Sequence, residues 1–244
     1  MNYAMESNPV PKLITEGFVT YSFDDYSQSI DNFSSLKFSM YQFMASYDRL
    51  PPDAYMNDGG NYRFRRFARF MLDTKNNELT QLDSGVFYQS KMVNQLNGGI
   101  VRSFSEMETE HSGNLFLKNM IQFHANELPK NKNGKWIIYV HQIRIVACSK
   151  SKGIPTPEGI HQDGHNYVAQ IFLSRKNVSG GKSMLFDSNK LPLFETTLID
   201  TLDTILIDDK VLYHYVTPIM PDAPDQVSYR DMLLIDFNLT GENL

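Results

Sequence analysis

The chain has 244 residues, a formal net charge of −5, 41% hydrophobic and 12% aromatic residues. This length suits one domain (1–244) with a substantial core, and the acidic balance argues against a nucleic-acid-binding surface. Cys148 is the only cysteine, which excludes an internal disulfide.

The first twelve residues are polar and contain proline, so we expect 1–12 to be flexible and not a signal peptide. No apolar run approaches the ~18 residues that a membrane-spanning helix requires. We therefore expect a cytoplasmic protein without membrane or nucleic-acid partners. The composition and the apolar pattern of the sequence predict no particular oligomeric state.

Helices are predicted mainly in the N-terminal half. Apolar residues recur at three- and four-residue spacing over 29–50 and predict one amphipathic helix, which Pro51-Pro52 ends. Strands are predicted at 17–21, 63–72 and 85–89, and a second helix at 115–128. The aromatic and methionine residues at helical spacing are interpreted as core.

Strands dominate the C-terminal half. They are predicted at 136–147, 167–173, 182–186, 204–207, 211–217 and 230–238, with hairpin turns at 180–181 and 208–210. The proline- and glycine-containing stretch 153–159 is interpreted as an active-site loop. Helices followed by many short strands indicate an α+β fold with an antiparallel barrel or jelly roll.

One pattern in this region indicates a metal site. His161 and Asp163 are two residues apart, so on an extended strand both would point to one face. His214 lies in a second predicted strand. Two histidines and one carboxylate on adjacent strands suit Fe(II) and leave three coordination positions open. His165 is the obvious competitor, but Gly164 is expected to turn the chain before it.

Arg230 opens the last apolar strand, beyond the second histidine of the motif. Its planar guanidinium could clamp a dicarboxylate by two parallel hydrogen bonds. The alternative is a structural ion pair with an aspartate such as Asp231 or Asp236.

These motifs resemble those of Fe(II)/2-oxoglutarate-dependent dioxygenases, and more narrowly the bacterial hydroxylases of free L-amino acids, of the L-isoleucine 4-hydroxylase type. The likeness covers about residues 60–240. It rests on the segments Arg63-Phe64-Arg65 with Arg69-Phe70, Tyr88-Gln89-Ser90, Gly98-Gly99-Ile100-Val101-Arg102, His141-Gln142-Ile143-Arg144, His161-Gln162-Asp163, Gly180-Gly181, His214-Tyr215-Val216-Thr217-Pro218 and Tyr229-Arg230-Asp231-Met232-Leu233-Leu234.

The resemblance implies a double-stranded β-helix braced by N-terminal helices. It also implies that His161, Asp163 and His214 hold the catalytic Fe(II), with 2-oxoglutarate and O2 as cosubstrates. Arg230 would bind the far carboxylate of 2-oxoglutarate. Many relatives place a serine or threonine two residues after this arginine, where this chain has Met232. Thr217 or a tyrosine is then the candidate for the missing hydroxyl.

The expected reaction is hydroxylation of a free aliphatic L-amino acid, with isoleucine or leucine favoured, and with release of succinate and CO2. A carboxylate buried in a partly dry pocket needs a cationic partner. The candidates for that role are Arg63, Arg65, Arg69, Arg102 and Arg144. Gln142 and Arg144 would share one face of their strand, opposite His141.

Two alternatives remain open at this stage. One is a dioxygenase that acts on a carrier-tethered amino acid or a peptide. The other is a non-catalytic, cupin-like protein that binds a metal or a small molecule, although such a protein has no need of a dicarboxylate clamp at Arg230.

Overall fold

The computed structural model describes residues 9–91, 96, 98–129, 134–223 and 225–241. Of the segment expected to be flexible, 1–8 lies outside these residues, whereas 9–12 belong to the first helix. The α-helices are α1 (Pro9–Glu16), α2 (Phe23–Ser29), α3 (Phe33–Ala45), α4 (Thr109–Ser112) and α5 (Leu115–Glu127). Within the described part of the chain, no helix is long and apolar enough to cross a membrane.

Among the described residues, fourteen strands accompany these helices. They are β1 (Phe18–Tyr21), β2 (Arg63–Asp73), β3 (Glu78–Leu82), β4 (Phe87–Tyr88), β5 (Val101–Arg102), β6 (Lys135–Ala147), β7 (Tyr167–Lys176), β8 (Val178–Gly180), β9 (Lys182–Phe186), β10 (Pro192–Thr197), β11 (Thr204–Asp208), β12 (Tyr213–Val216), β13 (Ile219–Pro221) and β14 (Ser228–Leu239).

The single helix predicted over 29–50 is wrong in its extent. A separate helix, α2, begins after Ser22, whose backbone N–H and hydroxyl both donate to the Asp25 carboxylate at 2.7 Å. Asn32 then adopts a left-handed backbone (φ 54°) and interrupts the helical path before α3. After Ala45 the chain tightens into a 3₁₀ turn, Ser46–Arg49, just before the predicted proline stop.

The strands form one large and several small antiparallel sheets, so the mixed helix and sheet class is as predicted. The large sheet has seven strands in the order β1-β11-β7-β14-β6-β2-β3, and the three-stranded sheet has the order β10-β9-β12. Two further pairs are formed, β13 with β8 and β4 with β5. The last pair, β4 with β5, is called the flap below, and it carries Arg102.

Strict alternation along the long strands gives the large sheet two different faces. On β6, Trp136, Ile138 and Val140 belong to the main core, whereas His141 lies on the opposite face with Ile143. The core face packs against α3 and α5, in agreement with the interpretation of their apolar residues as core. The other face is left free to line a cavity.

Neither of the two predicted hairpin turns joins paired strands. Gly180-Gly181 separates β8, which pairs with β13, from β9, which pairs with β10 and β12. Residues 208–210 lead from β11 in the large sheet to β12 in the small one. Both turns therefore carry the chain from one sheet to another, and local turn residues cannot distinguish such a crossing from a hairpin.

Candidate active site

A cavity lies between the face of the large sheet that carries His141 and the three-stranded sheet β10-β9-β12. Its lining comes from β2, β6, β7 and β14 on one side and from β12, the loop 155–163 and the flap on the other. Alternate residues of β14 point into it, namely Arg230, Met232, Leu234 and Asp236. The predicted loop at 153–159 therefore borders the cavity.

The three predicted metal ligands lie together in this cavity. Potential ligand atoms of His161, Asp163 and His214 all lie within 4.8 Å of one another. The carboxylate oxygens of Asp163 are 3.6 Å from Nε2 of His161 and 3.3 Å from Nε2 of His214. Burial acts to raise the pKa of Asp163, but hydrogen bonds with the two histidines hold it well below its ordinary value.

The backbone around these ligands differs from the predicted extended strand. His161 pairs with His214 only through an isolated β-bridge, with reciprocal N–H···O bonds of 3.1 and 2.8 Å. Nδ1 of His161 lies 2.8 Å from the carbonyl oxygen of Gly159, which leaves Nε2 for a metal. The nitrogen and carboxylate donors on one face fit Fe(II) with open positions opposite.

Asp209, which the sequence analysis did not single out, holds the ligand loop in place. Its buried carboxylate accepts hydrogen bonds from the backbone N–H groups of Asp163, Gly164 and His165, at 3.0, 2.7 and 2.9 Å. Its Oδ1 also lies 3.7 Å from Nδ1 of His214. Burial and the nearby Asp163 raise the pKa of Asp209 to about 7. This side chain thus fixes the backbone of the loop that carries Asp163.

His165 is placed away from the metal ligands. Gly164 has a φ of 86°, a conformation that favours glycine, and turns the chain between the two residues. Nδ1 of His165 then lies 2.8 Å from the side-chain oxygen of Asn238, and its Nε2 lies 3.3 Å from Asp236.

Arg230 is a buried cation with unused donors. It is 2% exposed, and its Nε and Nη2 atoms have no hydrogen-bond partner among the described residues. Burial, with a smaller effect of Arg175, lowers the pKa of Arg230 to about 10. A Cβ at Gly181 would come within 3.1 Å of its Cδ, so glycine makes room for this side chain. The alternative of a structural ion pair finds no support here.

Thr217, the candidate hydroxyl beside Arg230, does not line the cavity. It lies opposite Lys182 on the outer side of the strand pair, and its Oγ1 accepts the backbone N–H of Lys182 at 2.9 Å. Ser183, the next residue along β9, faces inward because it pairs with the cavity-lining Val216. Its buried hydroxyl has no hydrogen-bond partner within the described chain.

Three of the five arginines predicted for substrate binding line the cavity, and two of these are already paired. Nε of Arg63 donates to Asp53 at 2.8 Å. Arg65 donates to Nδ1 of His141 and lies 3.8 Å from Asp53. Of the two faces of β6, the one that carries His141 lines the cavity, and the face that carries Gln142 and Arg144 does not.

Arg102 differs from these two arginines because no described residue forms an ion pair with it. It is 2% exposed and donates to the neutral side chain of Gln89 at 2.6 Å. Gln89 in turn donates to the backbone carbonyl of Asp163 at 2.8 Å, so the flap is tied to the metal-ligand loop. Burial lowers the pKa of Arg102, as expected for a cation without a counter-charge in contact.

The remaining two arginines lie outside the cavity lining. Arg144 points to the opposite face of β6, where its guanidinium binds Asp231 at 2.7 Å and Asp48 at 2.8 Å. Arg69 lies further along β2, with its guanidinium 5.7 Å from the ring centroid of Tyr139. The structure thus separates them from the metal ligands.

Comparison with known proteins supports the reading of this site. A sequence model of the family described as 2OG-Fe dioxygenase matches residues 44–236. The chain is 26% identical over 231 residues to an L-isoleucine-4-hydroxylase of Bacillus thuringiensis, covering 92% of this chain and 91% of the relative.

Solved structures give the same result for the fold. A bsmA homolog from Methylobium petroleophilum PM1 is similar with a TM-score of 0.83 and 26% identity, covering 97% of this chain and 94% of that one. IDO from Bacillus thuringiensis is similar with a TM-score of 0.73 and 19% identity, covering 96% and 98%. With most of its length matched by the family and with a fitting His-Asp-His group, the chain belongs to the 2OG-Fe dioxygenases, enzymes that use Fe(II), 2-oxoglutarate and O2.

Proposed function

We propose that this enzyme hydroxylates a free aliphatic L-amino acid, with isoleucine or leucine as the favoured substrate, and releases succinate and CO2. The observation that carries the proposal is Arg102, a buried cation that faces the metal ligands' cavity without an anionic partner among the described residues. An α-carboxylate would supply that partner. The similarity to an L-isoleucine-4-hydroxylase points to the same substrate class.

The rest of the lining suits a branched apolar side chain. Apolar groups from three strands and the flap face the cavity, namely Phe87, Ile143, Ile145, Val216, Met232 and Leu234. Transfer of an aliphatic side chain from water to such a surface is favourable by about 25 cal/mol per Å² of apolar area buried. Positive and apolar regions in one cavity therefore match the two ends of an aliphatic amino acid.

In this proposal the three groups of residues have separate tasks. His161, Asp163 and His214 hold the iron, which with 2-oxoglutarate and O2 supplies the oxidising chemistry when bound. Arg230 and Ser183 bind the far carboxylate of 2-oxoglutarate. Arg102 fixes the substrate so that one C–H bond is presented to the metal face, and Gln89 keeps Arg102 in register with the Asp163 loop.

The fold, the domain extent and the cellular location of the enzyme are inferred in the same way. We infer that the seven-stranded and three-stranded sheets are the two walls of a double-stranded β-helix, and that 1–244 is one catalytic domain. A cytoplasmic location stays a prediction.

A screen for succinate release tests the proposal. The purified enzyme is supplied with Fe(II), 2-oxoglutarate, ascorbate and each proteinogenic amino acid, and products are examined by mass spectrometry for one added oxygen. We expect isoleucine or leucine to give both signals. If no free amino acid does so while a peptide or carrier-bound amino acid does, the tethered-substrate alternative replaces this proposal.

Arg102→Met tests the anchor. Removing one partner of a buried charge pair costs about 2–5 kcal/mol, which is roughly thirtyfold or more in substrate affinity. Arg69→Met is the matched control, because Arg69 lies outside the cavity lining. Equal effects of the two substitutions on the amino acid KM would remove Arg102 from this role.

A further inference from the structure

Glu158 is a buried acid of the cavity without a stated task. It lies at the end of the loop that leads to His161, and its side chain is 10% exposed. One oxygen, Oε1, is 3.3 Å from Nε2 of His161. The other, Oε2, is buried and has no hydrogen-bond partner in the described ranges of the chain.

The contact with His161 is not available when that residue binds a metal. Nδ1 of His161 lies 2.8 Å from the Gly159 carbonyl and is the nitrogen that carries the proton. Nε2 then offers a lone pair and has no proton to donate to Glu158. A buried carboxylate with neither oxygen hydrogen-bonded is costly, so the loaded enzyme needs another cation at this position.

A role as a fourth metal ligand does not fit the donor set. The group of atoms within 4.8 Å of one another contains His161, Asp163 and His214 but not Glu158. Four protein ligands would leave two positions on an octahedral ion, whereas a bidentate keto acid and O2 together require three.

The other acids that line the cavity already have partners. Asp163 contacts both metal-binding histidines, and Asp236 lies 3.1 Å from Nε2 of His141. Among the described lining residues, Glu158 is thus the acid with an oxygen left over, whereas Arg102 and Arg230 are the cations without an anion in contact, and Arg230 is assigned to 2-oxoglutarate. An α-amino acid carries both missing charges on adjacent groups.

We propose that Glu158 binds the α-ammonium group of the substrate while Arg102 binds its α-carboxylate, so that the cavity selects zwitterionic α-amino acids. This inference rests on the proposed function and adds to it the expectation that a simple carboxylic acid with the same side chain binds more weakly. It also assigns a specificity role to the loop 153–159.

Calorimetric titration tests this site through binding alone. The anaerobic enzyme with Fe(II) and 2-oxoglutarate is titrated with L-isoleucine and with 3-methylpentanoate, which lacks only the amino group. We expect the wild type to bind isoleucine at least tenfold more tightly. In Glu158→Gln this preference should fall to threefold or less, with the affinity for 3-methylpentanoate unchanged.

The controls separate this inference from the function on which it rests. Glu195→Gln makes the same change on an exposed acid paired with Lys182 on the outer side of β9, and it should retain the tenfold preference. A Glu158→Gln enzyme that keeps the preference overturns the ammonium site alone. A wild type that binds neither isoleucine nor leucine overturns the proposed function and the site together. Loss of bound iron in Glu158→Gln would instead make Glu158 a metal ligand.

Discussion

Arg230→Met should stabilise the ligand-free enzyme while it removes 2-oxoglutarate binding. The Arg230 guanidinium is buried, and two of its nitrogen atoms have no hydrogen-bond partner among the described residues. Burial lowers the pKa of Arg230 to about 10. Since one pKa unit corresponds to about 1.4 kcal/mol, the charge costs the folded state roughly 3 kcal/mol. The cost applies in full below pH 10, where the folded and unfolded chains both carry the charge.

The expected gain is smaller than this cost, because methionine also loses packing contacts of the longer side chain. We expect about 1–3 kcal/mol of stabilisation and, at this chain length, a rise of roughly 2–4 °C in Tm for each kcal/mol. Thermal unfolding of the metal-free protein followed by circular dichroism measures it. Relative to the protein with Fe(II) alone, 2-oxoglutarate at a hundredfold excess over its Kd should then stabilise the wild type by about 2.7 kcal/mol and give the variant little further stabilisation.

Arg144→Met provides the contrasting substitution on the neighbouring strand. Arg144 binds Asp231, which is 3% exposed, so its removal leaves a buried carboxylate unpaired. Such a loss destabilises by about 3–5 kcal/mol. If Arg230→Met lowers Tm as Arg144→Met does, Arg230 is a structural residue and the clamp is refuted.

Three further outcomes follow from the site. Asp163→Ala should abolish stoichiometric Fe(II) binding, whereas His165→Ala should retain it, as measured by metal analysis. Asp209→Asn should weaken Fe(II) binding, because the amide NH2 group cannot accept the backbone hydrogen bonds of 163–165 that a carboxylate oxygen accepts. Ser183→Ala should raise the Kd for 2-oxoglutarate about two- to tenfold, the loss of one hydrogen bond, with iron content unchanged.

Each of these outcomes has a clear opposite. Equal iron loss in the Asp163 and His165 variants would make the ligand assignment wrong. An Asp209→Asn enzyme with unchanged iron affinity would show that the ligand loop does not depend on that carboxylate. Unchanged 2-oxoglutarate binding in Ser183→Ala would leave Arg230 without a hydroxyl partner on β9.

The parts of the site that the sequence predicts are those encoded by short spacing and strand alternation. His161 and Asp163 are close in sequence, and His214 and Arg230 lie on apolar strands. The sequence therefore predicted that these four side chains lie in one site. The alternation on β6 also predicted that His141 and Arg144 lie on opposite faces, although only the packed sheet shows that His141 faces the cavity.

The residues that the sequence did not reveal depend on contacts between distant segments. Asp209 looks like an ordinary turn aspartate until the turn is seen to place it below the amides of 163–165. The Ser183 hydroxyl lacks a hydrogen-bond partner among the described residues, and Arg102 lacks a described ion-pair partner. Both features depend on residues that are distant in sequence and are visible only in the folded structure. The two predicted hairpins failed for the same reason, because sheet crossings are set by tertiary pairing.

The most direct test of the central claim compares free L-isoleucine with L-isoleucine amide under identical turnover conditions. The amide keeps the side chain and the amino group but lacks the carboxylate charge that Arg102 is proposed to bind. Coupled succinate release and oxygen addition should be at least thirtyfold less efficient, in kcat/KM, for the amide. Equal turnover of the two compounds would show that no carboxylate anchor exists and that the enzyme does not select free amino acids.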